Sequence, residues 1–318
     1  MMDKTTMDKS TTIGRRTFLA GTAVGAVTLQ NMSQIAIGRG STPAGSSGKL
    51  LANRFKKAVK IGMVRIGGGL TQKFQVLKEL GFDGVELNSP NSLKLEDVQA
   101  AKDSTGLTVH GVVNSKHWQK HLSHADEKIR AEGVEALMTA IKDAKAYGAT
   151  SVLLVPAVVT KEATYQKSWQ RSIPEIRKAI PLAEELGIDI LLENVWNNFL
   201  TDPTETAKYI DELGSDRVGA YYDTGNSVRY GNPVIWIRVL GKRIKKLDIK
   251  EFDLALAQNG DWYKGFGAKL LEGTNGWYDI IRELKKIGFE GWGTAEIPGG
   301  DRNRLKEIAT NMDRIFSL

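Results

Sequence analysis

IDILLENVWNNFLTDPTETAKYIDELGSDRVGAYYDTGN, residues 188–226, holds one complete strand–helix–strand unit. IDILLEN (188–194) is a short apolar run that ends on Glu193 and Asn194. DPTETAKYIDELG follows with helical spacing, Asp202 as its N-cap, Pro203 at the first helical position and a terminal glycine. RVGAYYDTGN (217–226) is again β-like and ends on Asp223. Strands joined through a helix must run parallel, with right-handed crossovers.

The same unit recurs in both directions along the chain. Upstream, strands are expected at VKIGMVRI (59–66), GVELNS (84–89), TVHGVVNS (108–115) and SVLLVPAVV (151–159), each followed by a helical pattern. The helix after the fourth is expected to bend or begin at Pro174. Downstream come IKKLDIKE (244–251), a Gly-rich segment (252–275), and GWGTAEI (291–297) with a last helix. Eight such units in unbroken alternation predict a (β/α)8 TIM barrel over residues 56–318 rather than an open doubly wound sheet. No GxGxxG follows the first strand, Gly67-Gly68-Gly69 lacks dinucleotide spacing, and no P-loop is present.

The chain has 318 residues and a formal net charge of +7. Residues 1–58 carry nine Lys or Arg against two Asp, which accounts for the whole excess. The barrel region is neutral, so the basicity is no nucleic-acid footprint. GRRTFLAG (14–21) sets Arg15 and Arg16 before the apolar run TFLAGTAVGAVTL (17–29), with the polar GRGSTPAGSSGK (38–49) beyond. That run is too short to span a bilayer comfortably, so no stable membrane insertion is expected. The order is similar to a twin-arginine export signal. It implies a leader and linker over 1–55, the twin-arginine machinery as a partner, and an exported, periplasmic protein. That route carries proteins already folded, which suits a metal loaded before export. The absence of cysteine excludes disulfides and thiol chemistry.

A barrel places its active site at the C-terminal ends of its strands. Strand five ends with Glu193, strand six with Asp223, strand seven contains Asp248, and strand eight ends with Glu296. Any one acid could be a salt bridge or a helix cap. Four converging on one rim repel each other unless a cation neutralises them. Lys250 and Arg229 are the only obvious local cations, so a divalent ion held by oxygen ligands is the more economical account.

The chain resembles the xylose isomerase-like TIM barrels of the sugar phosphate isomerase/epimerase superfamily. The carrying segments are GFDGVELN (81–88), LLEN (191–194), YYDTGN (221–226), KLDIKE (246–251), EGTNGW (272–277) and GTAEI (293–297). The resemblance implies one metal held by Glu193, Asp223, Asp248 and Glu296, with Glu193 and Glu296 also as the catalytic base and acid. It departs from the family at Asp248, where His is usual, and at Asn226, where strand six would offer a substrate-facing His. No histidine lies beyond residue 124. An all-carboxylate set favours Mn²⁺ or Mg²⁺ over Zn²⁺, and counts against the multinuclear zinc endonucleases of this fold.

His117 and Trp118, just after strand three, are expected to contact substrate, as are Asn226 and Lys250. Glu86 on strand two stands between a substrate contact and a structural role. His110 is expected in the core, and His121 and His124 to be structural or exposed. The implied activity is isomerisation or epimerisation of a sugar through an enediolate. A β-eliminating lyase on an oxidised (keto) sugar or glycoside shares that intermediate, and a non-catalytic sugar-binding barrel is the alternative of another class. Oligomerisation is left open by the sequence.

Overall fold

The computed structural model describes residues 54–258 and 261–318. The expected export leader falls on residues outside these. Eight parallel strands close into a barrel in chain order, so the expected (β/α)8 architecture is present. The strands are β1 (Phe55–Lys60), β2 (Gly84–Ser89), β3 (Thr108–Asn114), β4 (Ser151–Leu154), β5 (Asp189–Glu193), β6 (Val218–Asp223), β7 (Ile244–Ile249) and β8 (Gly291–Ala295). The outer helices are α1 (Leu70–Glu79), α2 (Leu95–Thr105), α3 (Glu127–Tyr147), α4 (Tyr165–Leu186), α5 (Pro203–Leu213), α6 (Pro233–Leu240), α7 (Trp277–Lys286) and α8 (Arg302–Phe316). None of the described helices is long and apolar enough to cross a membrane.

Two expectations are corrected. The first strand lies at 55–60, not 59–66, because the chain turns at Ile61–Met63 into a short 3-10 helix. The apolar run misled because Val64 is also buried, where it bridges to Gly300. The Lys56-Lys57 pair belongs to this strand, where Lys57 is buried and its ammonium meets Asp313 at 2.6 Å. The helix before β5 does not begin at Pro174: α4 runs from Tyr165 through Pro174 and Pro181 to Leu186. Asp202 caps α5 as expected, accepting from the backbone N–H groups of Thr204 and Glu205.

The strands' two-residue period sorts their side chains into layers. Ile190, Leu192, Tyr222, Leu247 and Ile249 point outward and pack with the helices in the large core. Leu153, Leu191 and Tyr221 form a separate apolar plug inside the barrel. One period further along β5 and β6, the inward positions after Leu191 and Tyr221 are Glu193 and Asp223. On β7 the inward face carries Lys246 and Asp248, both buried, so this strand buries both faces. Asp223 pairs in register with Asp248, and Asp248 with Thr294, two residues before Glu296.

Candidate active site

The four carboxylates come together. Glu193, Asp223, Asp248 and Glu296 each offer an oxygen, and those oxygens all lie within 4.8 Å of one another. Asp223 and Asp248 are wholly buried, whereas the Glu296 side chain is 30% exposed. Short backbone contacts fix these positions. Gly225 in YYDTGN lets β6 approach β7: a Cβ there would lie 2.9 Å from the Lys250 carbonyl oxygen. Asp223 Oδ1 accepts from the Asn226 N–H at 2.7 Å, and Asn194 Oδ1 accepts from the Asp223 N–H at 2.8 Å.

The expectation of few local cations is corrected. Lys60, the last residue of β1, donates to Asp248 Oδ2 at 3.0 Å and to Glu296 Oε1 at 2.8 Å. Lys250 lies 2.8 Å from Asp223 Oδ2 and 2.5 Å from Glu296 Oε2. Arg229, by contrast, stacks on Trp196 with its guanidinium 4.8 Å from the ring centre. Lys60 escaped the sequence reading because the first strand was placed too far along. Ending that strand at 60 would have set a lysine on the rim beside β8.

A third ammonium lies deeper. Lys246 donates to the His110 carbonyl at 2.5 Å, and burial lowers its pKa to about 8. His110 is a core residue as expected, stacked on Trp292 and bonded through Nε2 to Thr294 Oγ1. Glu86 is fully buried, with Lys60 Nζ 3.9 Å away, and it does not line the cavity. Glu86 thus lies in the buried charge cluster with Lys60, outside the cavity lining.

These charges test whether a metal fits. Five carboxylates (Glu86, Glu193, Asp223, Asp248, Glu296) face three ammoniums (Lys60, Lys246, Lys250), an excess of two negative charges. Asp248 Oδ1 and both Glu86 oxygens have no hydrogen-bond partner. Asp223 Oδ2 and Glu296 Oε2 are near Lys250 but receive no well-directed hydrogen bond from it. Buried, unpartnered carboxylate oxygens in charge excess are costly, and an oxygen-only donor set suits a hard divalent cation. The residues fit one such ion.

Without a metal, the proton affinities within the cluster diverge. Burial, then the neighbouring Glu296, pushes the Glu193 pKa up to about 8. Burial likewise raises Asp223 to about 6, against the pull of Lys250. For Glu296 the burial penalty is outweighed by Lys250 and Lys60, and its pKa falls below the ordinary carboxylate range.

Above the cluster lies a cavity of about 640 Å³. Glu193, Glu296, Lys60, Lys250, Asn226, His117 and Trp118 line it, so most of the expected contact residues share one space. His117 is buried and its Nδ1 accepts from the Val155 N–H at 3.1 Å, which leaves Nε2 as the donor. Burial, with Lys60 nearby, lowers its pKa to about 3, so the ring is neutral. Asn226 donates to the Asn194 carbonyl at 2.9 Å and receives Lys250 Nζ on Oδ1 at 3.3 Å. His121 bonds Ser123 Oγ and His124 accepts from the Asp126 N–H, so both are structural. Trp196, Tyr263 and Phe266 also face the cavity, Tyr263 and Phe266 from the Gly-rich segment 252–275 and Trp196 from the loop after β5.

Comparison with known proteins agrees with this architecture. A family described as "Xylose isomerase-like TIM barrel" matches residues 74–318. An uncharacterized protein of Methanocaldococcus jannaschii, MJ1311, is 22% identical over 248 residues, covering 72% of this chain and 79% of that one. The putative L-ribulose-5-phosphate 3-epimerase SgbU of Escherichia coli is 23% identical over 234 residues, covering 69% and 80%. Among solved structures, L-ribulose 3-epimerase superposes with a TM-score of 0.68 at 17% identity, covering 82% of this chain and 94% of that one.

Proposed function

Because the chain belongs to the xylose isomerase-like TIM barrel family, we propose that it is a divalent-metal-dependent sugar epimerase or isomerase working through an enediolate. The observation that carries this reading is the convergence of four carboxylates from four consecutive strands, two of which, Glu193 and Glu296, open on one cavity. Two carboxylates facing one bound substrate can remove a proton and return it. The 3-epimerases of ribulose and ribulose phosphate among its relatives point the same way.

Glu296, kept ionised by Lys60 and Lys250, takes the proton from the carbon beside the substrate carbonyl. Glu193, on the neighbouring wall, returns a proton to that carbon or to the adjacent one. Lys250, Asn226 and the Nε2–H of His117 orient the substrate oxygens. Glu193, Asp223, Asp248 and Glu296 would hold the ion, Mn²⁺ or Mg²⁺, which when bound supplies Lewis-acid polarisation of the carbonyl.

The test is deuterium exchange from D₂O into ketoses, with metal content measured on the purified protein. Glu193→Gln and Glu296→Gln should each lower exchange at least about 10³-fold while the circular dichroism spectrum keeps the fold's signature, a loss larger than that of one general acid–base residue alone because each carboxylate also serves as a ligand. Full activity in both variants would overturn the assignment. Release of a leaving group in place of simple exchange would indicate the lyase, and neither metal nor exchange would leave only sugar binding.

We also propose that the protein is exported by the twin-arginine route. Arg15→Lys with Arg16→Lys should hold it in the cytoplasm on cell fractionation, and unchanged export would reject the route.

A further inference from the structure

The two sugars named among the relatives differ by a phosphate, and the cavity lining bears on which of the two it suits. Lys60 and Lys250 are the only cationic side chains among the described lining residues, and each is already paired with two carboxylates. His117 is neutral. TIM barrels that hold a phosphate commonly do so on backbone N–H groups after strands seven and eight, at a helix N-terminus. Here the Gly300 N–H donates to the Met63 carbonyl and the Gly300 carbonyl accepts from the Arg65 N–H, so Gly300 after β8 is taken up by the loop after β1. The N-terminus of α8 is capped by a carboxylate: Asp301 Oδ1 accepts from the Arg304 N–H at 3.0 Å. A phosphate placed there would meet a like charge.

Beside these lysines the cavity offers rings, with Arg229 stacked on Trp196 and Lys250 5.2 Å from the Phe266 ring centre. Trp196 lies 5.4 Å from Tyr263 and 4.5 Å from Phe266, ring centre to ring centre, and all three line the cavity. Trp118 lines it from the loop after β3 and is 47% exposed, while Tyr263 is 68% exposed. Exposed rings grouped at a cavity mouth suit the apolar C–H face of a pyranose, with hydroxyls left toward water. At about 30 Å³ per water the cavity holds roughly twenty waters, more than the non-hydrogen atoms of one hexose can displace.

We infer that the substrate is an unphosphorylated sugar bearing a second, glycosidically linked ring, which rests on the Trp196, Tyr263 and Phe266 face. This deepens the epimerase reading and rests on it only for the chemistry at the first ring.

Calorimetric titration of the Mn²⁺-supplemented protein tests it with three probes: fructose, fructose 6-phosphate and isomaltulose. The last two carry a phosphate and a glucosyl group on the same oxygen. Isomaltulose should bind at least tenfold tighter than fructose, and fructose 6-phosphate no tighter than fructose. Tyr263→Ala and Phe266→Ala should each weaken isomaltulose at least fivefold more than they weaken fructose. A preference for fructose 6-phosphate, equal losses for both sugars in the variants, or no binding of any probe overturns the inference. The same samples in D₂O separate the two claims. The binding order without exchange leaves the two-ring site standing and sinks the epimerase reading. Exchange without the binding order does the reverse.

Discussion

Lys60 and Asp248 sit face to face at 3.0 Å, with Asp248 wholly buried and the Lys60 side chain 14% exposed. The aspartate stands where related barrels are expected to offer imidazole, and the extra charge it brings is met by an ammonium from β1. Burial works against the charged form of Lys60, but Asp248, Glu296, Glu193 and Glu86 outweigh it and raise its pKa well above the ordinary lysine value. Removing one partner of a buried ion pair leaves the other uncompensated, at a cost of about 3–5 kcal/mol. Lys60→Met should therefore lower the metal-free melting temperature by roughly 10 °C, at a few degrees per kcal/mol for a domain of this size. Saturating Mn²⁺ should raise the melting temperature of the variant more than that of the parent, since the variant's cluster carries one more uncompensated negative charge. Equal metal-induced shifts in differential scanning calorimetry would contradict this account of the pair. The carboxylates at the strand ends were legible because each follows an apolar run. Lys60 was not, because a first strand expected over 59–66 put it at the strand's start, whereas it is the last residue of β1.

The motifs KLDIKE and EGTNGW, far apart in sequence, form one element in space. Glu251, just beyond β7, accepts from Trp277 Nε1 at 2.6 Å and from the Leu271 N–H at 2.8 Å. Asn275 donates to the Lys250 carbonyl at 2.6 Å and accepts from the Phe252 N–H at 3.0 Å. Gly273 has to be glycine, since a Cβ would lie 2.5 Å from the Phe252 carbonyl oxygen. Both ends of the long segment between β7 and α7 are thus pinned at the barrel rim, and the segment between them carries Tyr263 and Phe266 to the cavity. Glu251→Ala would leave the buried Trp277 Nε1 and the Leu271 N–H without an acceptor, at about 1–3 kcal/mol per group. The expected outcome is a clear drop in melting temperature together with a rise in KM larger than the fall in kcat, because the rings shift while Glu193 and Glu296 stay on their strands. A fall in kcat alone would mean that the pinning serves the reacting carbon directly. At this scale the sequence reading placed every strand on its own segment. It misjudged the ends of β1 and β4, where buried loop residues extend the apolar run past the last strand residue.

Across the whole molecule, the net charge of the chain says nothing about the site. The informative charge is the local excess of two negatives inside a region whose charges otherwise nearly balance, and it makes stability depend on pH and metal together. Glu193 has an ordinary pKa of 4.5 and a folded value near 8, so above the ordinary value the folded state keeps a proton that the unfolded chain has released. Its stabilising contribution is complete below about 4.5 and is lost as pH rises through 8. Asp223, raised to about 6, acts the same way and is spent by pH 7. Three groups act in the opposite direction but outside the interval from 6.5 to 8. His110 and His117, held neutral by burial, cost stability only below their ordinary value of 6.5. Lys246, lowered to about 8, begins to add stability only above that pH. Chelator-treated protein should therefore lose melting temperature steadily between pH 6.5 and 8. A bound divalent cation favours the ionised carboxylates, so Mn²⁺ should flatten the slope and raise the melting temperature more at pH 8 than at 6.5. A metal-free profile that is flat or rises across that interval, or a Mn²⁺ shift that is larger at 6.5, would mean that the carboxylate excess is not what the cation answers.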